Sequence, residues 1–182
     1  WLKNRYFFIH PWFRNGIDTA LVHNLLIHQI NIPSFYPLRN GLHYIGNLVV
    51  KNFELYKSIN TNDAGAVTGT AYINPLNPLD SAYTDDNETG NFIRLESGTN
   101  YVLSADLGYI RLRDMVMNEI LGCSFVLEDR NTGDTVLVVG SPADSAGTNL
   151  SLMMLKPRNS HPNHPSWPLM FKNVYYLGTT QI

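Results

Sequence analysis

Cysteine is nearly absent from this chain: one residue, Cys123, in 182. A single thiol excludes an internal disulfide, and its place between Leu121 and Phe125 in an apolar run marks it as a small buried hydrophobe rather than a nucleophile. Charge is sparse as well. Lys and Arg total 13 against 15 Asp and Glu, a formal net charge of -2, without the clustered basic surface of nucleic-acid binders. No nucleic-acid role is expected. Long apolar runs are missing too, each one breaking before the roughly 18 residues that a membrane-spanning helix needs. The chain begins at Trp1 with no initiator Met and reads as an excised piece, so the lack of a visible export signal carries no weight.

The patterns of common catalytic chemistry are also missing. His161-x-x-His164 suggests zinc, but zinc needs at least three protein ligands, no HExxH or CxxC supplies the rest, and Pro162 and Pro165 prevent a helical display. Asp85-Asp86-Asn87-Glu88-Thr89-Gly90 is followed by Glu96 six positions after Gly90, but Thr89 stands where the EF-hand loop has Asp or Asn. It reads as a solvated turn. Ser141 and Ser145 stand outside any G-x-S-x-G elbow, and no glycine loop for phosphate is present. Asp106, Asp114, Glu119, Glu128 and Asp134 fall near turns or strand edges, where solvation explains them better than a paired-carboxylate site. No enzyme and no cofactor are expected.

What is present is a β pattern. With 44% hydrophobic residues the chain can bury one good core or two small ones, and it divides into three segments. Segment 1–40 is helical and aromatic: Ile17, Leu21 and Leu25 recur four apart, with Asn15 as a cap and Asp18 in the first turn, predicting an amphipathic helix over 16–29 that ends before Pro33. Segment 41–91 is an irregular β-rich connection. Over 48–56, Val50, Phe53 and Leu55 alternate imperfectly with Lys51 and Glu54, which suits an exposed strand; 68–73 predicts another, and 81–91 a polar loop.

Segment 92–182 is a β-rich domain ending in a Pro-rich loop and a short helix. Alternation predicts a hairpin over 101–112 that turns through Asp106 and Gly108, a second pair over 123–128 and 135–140, and a strand over 150–155. Short strands punctuated by turns predict a mainly β, sandwich-like arrangement of antiparallel strands. Ser166 as cap and Pro168 in the first turn predict a closing helix with Met170, Val174 and Leu177 on one side and Gly178 at its stop; a strand is the competing reading. Tyr101, Tyr109, Trp167, Met170 and Tyr175 stand out as structural anchors, and Trp167 is expected to hold the Pro-rich loop against the sheet.

Arg94-Leu95, Gly98, Tyr101, Leu107-Gly108-Tyr109-Ile110, Lys156-Pro157, Trp167, Leu169-Met170-Phe171-Lys172-Asn173-Val174-Tyr175 and Leu177-Gly178 together form a series. It resembles the SprA family of giant outer-membrane translocons of the type IX secretion system of Bacteroidota. The aromatic entry, Phe13-Arg14-Asn15 and Ile30-Asn31-Ile32 are similar to another piece of that family, from which 34–41 departs. The resemblance implies that the chain is a segment of a much larger β-barrel in the cell outer membrane, conducting folded cargo proteins and supporting gliding motility where that occurs. It also implies partners: secreted cargo, a PorV-type shuttle barrel and a periplasmic plug protein. The alternative reading is an extracellular β-sandwich module for carbohydrate or surface adhesion, with Trp1, Trp12, Trp167 and Tyr175-Tyr176 as a stacking platform. The same aromatics serve equally as core or interface residues.

Overall fold

Strand alternation puts every second residue on one face, so a break in it has a structural meaning. The break over 48–56 has a local cause. Asn52 has φ 49°, a left-handed conformation that Asn tolerates, and the pairing register shifts between Lys51 and Glu54. This β-bulge adds one residue and places Val50, Phe53 and Leu55 against the same core.

In the computed structural model of the chain, which describes residues 6–9, 48–60, 65–79, 81–105, 108–141 and 149–170, nine strands are formed. They are β1 (Tyr6–Phe8), β2 (Leu48–Ile59), β3 (Val67–Tyr72), β4 (Glu88–Leu95), β5 (Tyr101–Ser104), β6 (Tyr109–Leu112), β7 (Leu121–Asp129), β8 (Thr135–Val139) and β9 (Leu150–Lys156). Short 3-10 turns occupy Thr84–Asp86 and Trp167–Leu169.

Strand β2 pairs antiparallel with β4 on one edge and with β7 on the other. Strand β3 pairs antiparallel with β4 and parallel with β9, and β9 pairs with β7. The ring β2-β4-β3-β9-β7-β2 is therefore closed, with β8 attached to the far side of β7. One face of these strands makes a buried cluster of Tyr56, Ala71, Phe92, Ile120, Leu150, Leu152 and Met154, the filling of a small barrel. Small residues make room for it: a Cβ on Gly122 would lie 3.0 Å from Leu152 Cβ.

The three-stranded sheet β1-β6-β5 shares a second core with the other face of that wall. Phe7, Tyr101, Ile110 and Leu112 cluster with Leu55, Cys123, Phe125, Leu127, Val139 and Met153.

The chain is mainly β, as its pattern predicts, but three expectations about arrangement need correction. The larger sheet is not an open antiparallel sandwich layer, because the twelve residues of β2 reach two neighbours and close it, and one pair, β3 with β9, is parallel. For the same reason 48–56 is not an exposed strand: residues 55–57 are paired on both edges, and Val50, Leu55 and Tyr56 are buried. The polar loop expected over 81–91 stops at Asn87, since Glu88, Thr89, Gly90 and Asn91 pair with β3 as the first half of β4. That strand crosses the 91/92 boundary, so the 41–91 and 92–182 segments contribute to one sheet.

The predicted hairpins form. Tyr101 faces Leu112 and Ser104 faces Tyr109 across β5 and β6, and Gly108, with φ 61°, returns its N–H to Ser104 O at 2.8 Å. Asp106 lies outside the described residues. Strands β7 and β8 are likewise antiparallel, with Gly133 (φ 75°) in their loop. Among the described residues the start of the expected closing helix is the 3-10 turn Trp167–Leu169, after which Met170 is extended, with φ -76° and ψ 133°, and bridges antiparallel to Phe7. The predicted helix over 16–29, together with Val174, Leu177 and Gly178, lies outside the described residues.

Candidate functional site

Polar side chains gather at three places. Near one end of the barrel, β2 and β4 set Tyr56 opposite Arg94, and β2 and β7 set Glu54 opposite Ser124. Tyr56 Oη donates to Glu54 Oε2 at 2.6 Å, and Arg94 Nη2 pairs with Glu54 Oε1 at 2.9 Å. Both carboxylate oxygens are thereby engaged, which is how a buried carboxylate is tolerated. Ser124 Oγ is buried with no hydrogen-bond partner among the described residues.

Where β9 leaves the barrel, Lys156 is 1% exposed. Its ammonium donates to the carbonyl oxygens of Met117 (2.8 Å), Glu119 (3.1 Å) and Pro157 (2.9 Å). Three hydrogens meet three acceptors, the full capacity of the group. Burial lowers its pKa, while the charges of Glu119 and Glu88 oppose that shift. An amine held this way serves as a fastener and has no lone pair to offer as a nucleophile.

The third place is in the Pro-rich loop. His164 Nδ1 lies 2.9 Å from Ser166 Oγ and accepts the Ser166 N–H at 3.2 Å, while Nε2 is 3.9 Å from Asp86 Oδ1. Ser, His and Asp are thus neighbours without the geometry of a triad. The acid is beyond hydrogen-bond reach of the ring, and Ser166 is buried and closes a local turn on the same nitrogen that would have to activate it. His161 meets His164 edge to face, with ring centroids 5.6 Å apart. Among the described residues no group of three His, Cys, Asp or Glu side chains is placed to hold a metal ion.

The anchor residues converge. Tyr101 and Met170 belong to the core between barrel and small sheet, and Tyr109 and Trp167 pack against it half-buried. Burial raises the pKa of both Tyr101 and Tyr109. Phe53, delivered by the bulge, packs edge-on against Tyr101 at 5.6 Å. Tyr175 lies outside the described residues. Leu169, expected with Met170 to continue the apolar contact of Trp167, is more buried than Trp167 itself.

Large apolar side chains remain exposed at the surface: Val136 and Val138 on β8, Met115 and Met117 before β7, Val102 on β5, and Leu76 and Leu79 between β3 and β4. Strand β8 ends the strand order, and among the described residues it pairs only with β7. Its sequence, Thr-Val-Leu-Val-Val, carries none of the charges or prolines that usually protect an edge. No helix among the described residues is long and apolar enough to cross a membrane, which does not bear on crossing by strands. No family model and no curated protein matches the chain.

Proposed function

We propose that this chain is a non-catalytic β module of an SprA-like outer-membrane translocon, a rigid element of a machine that passes folded cargo proteins through a much larger barrel. The observation that carries the non-catalytic reading is how the buried ionisable groups are used. Glu54 is engaged by Tyr56 and Arg94, Lys156 by three carbonyls, and His164 by Ser166. Among its exposed side chains the fold offers apolar ones, including Val136 and Val138 on the β8 edge, and a strand edge is a common surface for protein docking.

The translocon itself is supported by the motif series from Arg94 to Gly178. On this reading the module works in the outer membrane with secreted cargo, a PorV-type shuttle barrel and a periplasmic plug protein, and supports motility in gliding species. Photo-crosslinking residues at positions 136 and 138 of the intact protein should give adducts with cargo, the shuttle barrel or another part of the translocon, and deleting 48–170 in frame should stop secretion. Normal secretion after the deletion would remove the proposal.

The adhesion reading needs aromatic faces open to sugar rings. Of the residues named for such a platform only Trp167 is described, and it is half-buried; Trp1, Trp12 and Tyr175-Tyr176 lie outside the described residues. A glycan array separates the two readings, and specific sugar binding by the chain would favour adhesion.

A further inference from the structure

The segment 157–170 leaves the barrel at Lys156 and ends with Leu169 and Met170 in the other core, so it ties the two together. It meets the β3–β4 connection and the start of β4 through polar contacts, among them Arg158 Nε 4.0 Å from Glu88 Oε2. Arg158 N–H donates to Glu88 Oε1 at 3.0 Å, and His164 faces Asp86. Ser160 Oγ is buried without a hydrogen-bond partner among the described residues, an unfavourable feature that leaves the segment little stability in reserve.

His164 organises the loop. Its backbone N–H reaches His161 O at 3.0 Å, its carbonyl accepts the Trp167 N–H at 2.9 Å, and its Nδ1 accepts the Ser166 N–H. A backbone N–H can only donate, so Nδ1 must carry its lone pair and the ring proton sits on Nε2, toward Asp86. The ring is neutral in this arrangement. Adding a proton to Nδ1 costs the Ser166 N–H its acceptor, turns the 2.9 Å contact with Ser166 Oγ around so that the hydroxyl must accept, and creates a charge on a ring that is only 6% exposed.

We propose that His164 makes 157–170 a pH-operated latch, closed over the core when the imidazole is neutral and loosened when it is protonated. The groups facing the ring are Asp86 from the Thr84–Asp86 turn, Glu88 from β4 and His161 from the loop itself. Burial pushes His164 below its ordinary value of 6.5; Asp86 and Glu88 oppose this and His161 adds to it. Asp86 is 3.9 Å away and one-third exposed, so its pull is screened and does not reverse the direction. With the closed-state pKa below the open-state value, the open state binds more protons between the two. Latch stability is therefore complete above about pH 6.5, falls as the pH drops toward the closed-state value, and levels off below it.

The test is NMR on the whole 182-residue chain. Long-range proton–nitrogen spectra should give the Nε2–H tautomer at pH 7.5 and a titration of His164 below 6.5. Protection of the Ser166 and Trp167 amides, corrected for intrinsic exchange, should fall between pH 7.5 and 5, the direction that a lowered closed-state pKa requires. His164→Asn keeps an acceptor for the Ser166 N–H in an Asx-turn and should abolish the pH dependence, whereas His161→Gln should retain it. An Nδ1–H tautomer, a titration at or above 6.5, or an equal loss of protection in His164→Asn overturns the latch. Should His164→Asn fail to fold, the tautomer and titration of the unmodified protein decide alone.

Discussion

An ammonium group with three hydrogens and three carbonyl acceptors has no reason to move, and Lys156 therefore stabilises the fold through what it fastens. Lys156→Met keeps the length and apolar stem but strands the carbonyls of Met117, Glu119 and Pro157. It should lower the unfolding free energy by roughly 3 kcal/mol, the scale of a lost charged hydrogen-bond set, read from urea denaturation. Cys123 is the opposite kind of residue. It is fully buried, and burial alone pushes its thiol far above the usual range. Thiol reagents should label it only as fast as the native protein unfolds; rapid labelling under native conditions would contradict this. Its burial was legible in the sequence, because a lone Cys flanked by Leu121 and Phe125 has an apolar neighbourhood whatever the fold.

At the scale of elements, two glycines on neighbouring strands make a direct test of the barrel. A Cβ at Gly69 would lie 2.6 Å from Leu150 Cβ and 2.9 Å from its carbonyl oxygen, whereas at Gly90 the nearest atom, a flexible Ile120 methyl, is 3.8 Å away. Gly69→Ala should force apart the parallel β3–β9 pair and cost about 1–3 kcal/mol as overpacking does. Gly90→Ala should be neutral, or stabilising by up to about 1 kcal/mol through the unfolded chain. Equal thermal shifts for the two variants would mean that the ring of strands is drawn wrongly. The bulge offers a second check. Asn52→Val, a β-branched residue at φ 49°, should cost about 1–2 kcal/mol, and Asn52→Gly should be tolerated. The hairpin over 101–112 and the β7–β8 pair were readable because their partners are adjacent in sequence and Gly108 and Gly133 mark their turns. The first half of β4 was not, since Glu88-Thr89-Gly90-Asn91 has the composition of a turn and becomes a strand only because β3 supplies its partner.

At the scale of the whole molecule, the 157–170 segment decides how barrel and small sheet are held together. Leu169→Ala and Met170→Ala remove buried side chains from the shared core and should each cost about 2–5 kcal/mol. Trp167→Ala, at a half-buried position packed on the same core, should cost less than the loss of a fully buried aromatic. Denaturation midpoints of the three variants rank them directly. On the proposed translocon reading, the Trp167→Ala protein should accumulate less and secrete less in proportion. Normal abundance with loss only of a sugar-binding or enzymatic activity would refute its role as an anchor.

The sequence by itself determined that the described chain is β-structured, where its local hairpins turn, and that Cys123 is buried. These depend on alternation, on glycine at positive φ and on nearest neighbours, all of which are local. Only the tertiary structure decided that β2 closes a ring, that β3 and β9 run parallel, that Met170 is extended and bridges to Phe7, and that Asp86 and His164 face each other. Each of those joins residues far apart in the chain. Such pairings depend on which edges and faces remain to be covered once the local elements exist, and a strand's own residues specify its two faces far more strongly than the neighbour on either edge.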